Sequence, residues 1–172
     1  MAGLSLRRLA ERAGITTPTV YAYFPSKNDI YDAMFLQAAV EFEAHMLAPY
    51  RAQTPPRVIA EGLNRFLAFC TSDPVRYQLL FQRTLTDFEP SPDAYAPAVR
   101  ALDGSRARLQ AAGITDPRHV DLWTALTTGL ASQQIANDPG GKRWIDLADD
   151  ASGMFLAYCL PETKATRRSR GN

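Results

Sequence analysis

Apolar residues recur along this chain at three- and four-residue intervals almost from the start. Leu6, Leu9, Ala10 and Ala13 share one face of a helix, and Arg7, Arg8, Glu11 and Arg12 share the other. Ser5 is a suitable N-cap, and Gly14 suits the left-handed residue that ends a helix. A shorter helix is predicted next, with Thr17 as N-cap and Pro18 at the first helical position. Val20 and Phe24 should face the first helix. Thr19 and Tyr23, with Ala22 beside them, should face away. Pro25 ends this segment, and Ser26-Lys27-Asn28-Asp29 has the spacing of a capping box for the next helix.

That third helix should run from Asn28 to about Ala48, with Ile30, Met34, Ala38 and Phe42 as its apolar stripe and Tyr31, Phe35 and Met46 widening it. After a linker at 51–56, helices are expected over 58–71, from Asp73-Pro74 to about Leu85, and over 94–112. Pro97 would lie in the first turn of the last of these or force a late start. Asp116-Pro117 opens a further helix to about Ala136. Asn137-Asp138-Pro139-Gly140-Gly141 makes a turn, and a last helix should run from about Arg143 to Leu160. No period-two strand pattern occurs. The expectation is an all-α protein of eight or nine helices.

The second helix is the informative one. Its outer face carries hydroxyls and a methyl, which suit base edges in a major groove. Two helices meeting at a glycine turn, the second exposed, form a helix-turn-helix. Periodicity alone also fits an ordinary αα-hairpin in a helical core. The residues go further: AGITTPTVYAYFPSK resembles the DNA-binding signature of TetR-type (TetR/AcrR) transcriptional regulators at nearly every motif position. The body, through DPVRYQLLFQRT, LWTALTTGLASQQIANDPGGKRW and DDASGMFLAY, also resembles the C-terminal domains of actinobacterial regulators of that type.

The resemblance implies a helix-turn-helix with a linking helix over 1–47, a ligand-binding and dimerisation domain over 48–161, and a basic disordered tail over 162–172. Relatives carry one more helix before the position of Ser5. Either the true start lies upstream or the chain is a shortened homologue, whose head would be under-packed. By residue-wise match, Thr17, Thr19 and Tyr23 should approach bases or sugars. Tyr21, Lys27 and Ser5 should meet phosphates, and Arg7 a base or phosphate.

For the dimer interface the candidates are Leu122, Leu126, Gly129, Leu130 and Gln133 on one helix and Leu147, Ala151, Met154, Phe155 and Tyr158 on the next. Two such hairpins would make a four-helix bundle. The alternative, less favoured for a chain of this length, is that these stripes pack only within one chain. Phe66, Cys70, Tyr77, Phe81, Trp123 and Thr127 are candidates for lining a ligand cavity, with Gln82, Arg83 and Gln134 as polar points, although aromatics at helical spacing usually form core.

Charge and composition refine this picture. Of 172 residues, 46% are hydrophobic, which fits a globular chain, and the net charge is +1. The charge is unevenly spread. Arg7, Arg8, Arg12 and Lys27 outweigh Glu11 at one end, Lys164, Arg167, Arg168 and Arg170 outweigh Glu162 at the other, and the intervening body is acidic. A basic end on an acidic body fits local phosphate contact. Cys70 and Cys159 lie in apolar helical runs and read as reduced thiols in a cytoplasmic protein. No apolar run approaches the ~20 residues of a membrane span.

Catalytic chemistry is not indicated. His45 and His119 stand apart from any ligand-spaced Cys or acid, Gly140-Gly141 follows no strand, and Asp146, Asp149 and Asp150 read as a solvated face. No metal or cofactor is expected. The function expected is a ligand-responsive regulator, a repressor binding double-stranded operator DNA of palindromic sequence as a homodimer, with a small-molecule effector of unknown identity and no membrane partner. The alternatives are a shortened partner that heterodimerises with and blocks a full-length relative, and an enzyme using the body cavity.

Overall fold

The computed structural model describes residues 5–160 and is helical throughout them, with no strand. Eight helices follow in order: α1 (Leu6–Ala13), α2 (Thr17–Tyr23), α3 (Lys27–Leu47), α4 (Pro55–Ser72), α5 (Pro74–Phe81), α6 (Pro92–Ala111), α7 (Pro117–Asn137) and α8 (Ala148–Cys159). The tail at 162–172 lies outside the described residues. No described helix is long and apolar enough to cross a membrane.

Local chemistry sets most of the boundaries. The Ser5 hydroxyl accepts from the Arg8 amide, and Gly14 closes α1 at φ 66°, where a side chain would be strained. Ser26 and Asp29 form a reciprocal capping box at the start of α3. Asp73 and Asp116 cap α5 and α7, each ahead of a proline in the first turn.

Five boundaries differ most from the sequence expectation, the first being α4, which starts at Pro55 inside the expected linker. The cap of α2 is Thr16, whose hydroxyl accepts from the Thr19 amide, so Thr17 is already helical. Helix α5 stops at Phe81, because Gln82 is extended. Helix α6 starts at Pro92 and holds Pro97 in its interior, because Ser91 accepts the Ala94 amide on its hydroxyl and the Tyr95 amide on its carbonyl. Helix α8 starts at Ala148, since residues 143–147 form consecutive turns.

The chain divides into two compact units, one of residues 1–48 and 69–104 and the other of 49–68 and 105–172. In the first unit, Leu6, Ala10, Val20 and Ile30 form the small core of the head, with Leu9 and Phe24 against it. Ala13, expected on that inner face, is exposed. Beyond the head, Phe35, Ala39 and Ala94 form a second core, lined by Leu79, Leu80 and Phe88. Phe42 packs against Phe69 and, edge-on, against Phe81, with centroids 5.1 and 5.2 Å apart. The inner stripe of α3 is therefore Ile30, Phe35, Ala38, Ala39, Phe42 and Met46, and Met34 lies outside it.

The second unit buries Ile59, Leu63, Phe66 and Leu67 of α4, Leu109 of α6, and the inner faces of α7 and α8. Trp123 packs against Phe155 with tilted rings, centroids 4.7 Å apart. The buried Gln134 side chain organises the α7–α8 connection. Its carbonyl oxygen accepts from the Trp144 and Ile145 amides, and its amide nitrogen donates to the Asp138 carbonyl. Asp138 accepts from the Arg143 amide, which with Gln134 holds its carboxyl below the usual carboxylate range.

Candidate nucleic-acid interface and neighbouring sites

Helix α2 is pinned by one side only. Val20 is buried against α1, and the Phe24 amide closes the last turn on the Val20 carbonyl. The opposite side carries Tyr21 at 49% and Tyr23 at 76% exposure, with Ala22 exposed between them. Thr17 and Thr19 are half-buried at the helix start. The Thr19 hydroxyl lies 2.8 Å from that of Thr16, so one of its hydrogen-bonding directions is already engaged. Ser5 is exposed at the start of α1, and Lys27 is exposed one residue past the α3 cap. Of the seven candidate residues, Ser5, Arg7, Tyr21, Tyr23 and Lys27 are exposed, and Thr17 and Thr19 are half-buried.

Arg7 pairs with Glu11 at 3.0 Å across an exposed helix face, a contact worth little in water. Arg8, Arg12 and Lys27 form no ion pair among the described residues. Arg8 and Arg12 belong to the basic end noted in the sequence but not to the seven candidate contact residues. They lie on the polar face of α1, and that pattern alone could have found them. Helix α2 itself holds no charged side chain. The hydroxyls and aromatic rings of α2 thus lie between cations on α1 and at the start of α3 along the chain.

The candidate dimer residues separate into two groups. Leu122, Gly129, Gln133, Leu147, Met154 and Tyr158 are exposed, with Met154 at 63% and Tyr158 at 66%. Leu126 is half-buried. Leu130, Ala151 and Phe155 face the chain's own interior and are not open to a second copy, because α7 and α8 use that side to pack on each other around Trp123 and Phe155.

The candidate ligand residues also separate. Phe66, Cys70, Tyr77, Trp123 and Thr127 are buried core positions. Burial drives the Cys70 thiol strongly up and raises that of Cys159 less, with Asp116 adding to it. Phe81 lines a cavity of about 560 Å³ in the first unit, built from Phe35 of α3, the end of α5, the 82–91 segment and Tyr95 of α6. Of the polar points proposed, Gln82 and Arg83 belong to this cavity, whereas Gln134 is spent on the turn it organises. Thr84 and Phe88 were missed. Thr84 falls at the end of the helix expected to run to about Leu85, and Phe88 in the Pro-rich stretch after it, which has no helical period.

Residues 1–34 match the family model described as "Bacterial regulatory proteins, tetR family". The fold is similar to that of the TetR family transcriptional regulator PfmR from Thermus thermophilus, at 16% identity over 89% of this chain and 87% of that one, with a TM-score of 0.66. It is similar to a protein of unknown function from Rhodococcus sp. RHA1, at 18% identity over 91% and 84%, TM-score 0.73. It is also similar to SCO4313, a protein ascribed a regulatory role, at 18% identity over 90% and 85%, TM-score 0.70. No curated protein matches the chain by sequence. The fold and the head together define a helix-turn-helix protein with a helical body. Over residues 1–34 the head is similar to that of bacterial regulatory proteins of the tetR family.

Proposed function

We propose that the chain is a ligand-responsive repressor that binds a palindromic operator as a homodimer. The observation that carries this is α2, a helix whose one buried residue is Val20 and which exposes Tyr21, Ala22 and Tyr23, with Thr17 and Thr19 half-buried at its start. Thr17, Thr19 and Tyr23 read bases or sugars, and Tyr21, Lys27, Ser5 and Arg7 position the head on phosphates.

One seven-residue helix offers few base contacts, so two heads must engage grooves one turn apart, ~34–36 Å. The exposed rows Leu122–Gly129–Gln133 and Leu147–Met154–Tyr158 supply a surface on which two copies of α7 and α8 meet. Occupying promoter DNA represses by exclusion. An effector relieves repression only if it binds the DNA-incompetent state more tightly than the competent one.

The test is a gel shift with the DNA upstream of the protein's own reading frame, across a salt series. A saturable shift with a steep salt slope is expected. Lys27→Ala should weaken binding to all sequences alike and flatten the slope by about one unit. Sequence-selective loss in that variant would remove its phosphate role, and no shift at any salt would end the reading.

A further inference from the structure

The segment between α5 and α6 fastens the cavity to the head. The Asp87 carbonyl accepts from the Asn28 side-chain amide at 3.2 Å. Ser91 donates its amide and its hydroxyl to the two Asp32 carboxylate oxygens at 2.6 and 2.7 Å. Asn28 and Asp32 lie in the first two turns of α3, directly after α2. Between these anchors Phe88 packs on Tyr31 and Phe35, with centroids 5.7 and 6.4 Å apart.

The lining fixes the chemistry of an occupant. Phe35 and Tyr95 lie 6.0 Å apart with tilted rings, and with Phe88 they give the cavity an aromatic wall. Its charged lining residues, Arg83 and Glu89, pair with each other at 3.1 Å in solvent. A charged ligand would leave water without an unspent counter-charge, which is strongly unfavourable. Among the lining residues, the Thr84 hydroxyl is the buried side-chain polar atom left without a partner among the described residues. The volume lies in the range of small-molecule sites.

The geometry points to an effector site for a neutral aromatic molecule with one hydroxyl or carbonyl group, seated against Phe35, Phe88 and Tyr95 and hydrogen-bonded to Thr84. It rests on the regulatory role proposed above and gives that role a site and a ligand class. An occupant that displaces Phe88 strains the Asp87 and Ser91 anchors and so reaches the start of α3.

The experiment titrates the intact protein, without DNA, with 2-naphthol, naphthalene and 2-naphthoate by calorimetry, so a failure of DNA binding leaves the result unaffected. Saturable binding of 2-naphthol is expected, with naphthalene about five-fold weaker for want of one hydrogen bond, and naphthoate weakest. Thr84→Val should bring 2-naphthol down to the naphthalene level, and Leu80→Trp should abolish both by filling the cavity, each variant checked for fold by circular dichroism. If Thr84→Val does not fold, Thr84→Ser must keep the preference and Leu80→Trp must still lose binding. Amide exchange at Ser91 should change at saturating 2-naphthol. The proposal is overturned if the intact chain binds none of the probes, as it would were the cavity filled by residues 161–172 or a second copy. It is equally overturned if naphthoate binds best, if Thr84→Val retains the preference, or if Ser91 exchange does not respond.

Discussion

Thr19 shows what one side chain can be asked to do. Its amide and hydroxyl both lie against the Thr16 hydroxyl, so it helps begin α2 as well as facing outward. Thr19→Ala removes the hydroxyl and leaves the amide–Thr16 cap in place. Base preference should shift while thermal stability falls by less than about 1 kcal/mol; equal loss on every sequence would contradict base reading. Glu43 gives a pH-dependent counterpart. Its hydrogen bonds to Arg100, at 2.5 and 2.7 Å, lower its carboxyl pKa in the folded state. The stability this lends is fully present above the unfolded carboxylate value, about 4.3, and is lost as the pH falls through the lower folded value. The melting-temperature gap between wild type and Arg100→Met should therefore close between pH 5 and strongly acidic solution, as thermal scans will show. Caps such as Ser5, Ser26–Asp29, Asp73 and Asp116 were legible in the sequence because their bonds span two or three residues. Thr16 was not, because Thr-Thr-Pro offers two hydroxyls for one position.

Among the elements, α6 shows how a distant side chain sets a boundary. Pro97 lacks the amide that a helix interior uses, and local reading places the start near it. The helix nonetheless begins at Pro92, because Asp32, 59 residues earlier, holds Ser91 in its capping position. Asp32→Ala removes two charge-assisted bonds and should cost about 1–3 kcal/mol in chemical denaturation. A loss near zero would mean that α6 is held by its packing alone. The same separation hid the cavity. Its wall joins Phe35 to residues 79–95, and neither stretch signals the other in a linear sequence.

At the level of the whole molecule, amphipathic periodicity located α7 and α8 but not the use of each side. A stripe in sequence looks alike whether it meets its own chain or a second copy. Phe155 and Met154 are adjacent and opposite in fate, one buried and one exposed. Phe155→Ala should destabilise the folded chain by about 3–5 kcal/mol through a cavity beside Trp123. Met154→Glu should leave the isolated chain's stability nearly unchanged and shift sedimentation from dimer to monomer; a dimer that survives it places the interface elsewhere. The all-α class and the head were readable because the head's motif is contiguous and its core is Leu6, Ala10, Val20 and Ile30, all within one short stretch.

The absence of any ionic side chain from α2 has a consequence for how target choice can change. On the reading proposed above, attraction to the duplex would come from cations on the neighbouring helices, Arg7 and Lys27 with Arg8 and Arg12 beside them, which sense ions but not letters. Exchanging the outward residues of α2 for other uncharged ones would rewrite which operator is favoured while the ionic-strength dependence stayed as it was. On that reading, changes at Thr17, Thr19 and Tyr23 would retarget the protein without altering the salt-dependent part of its grip.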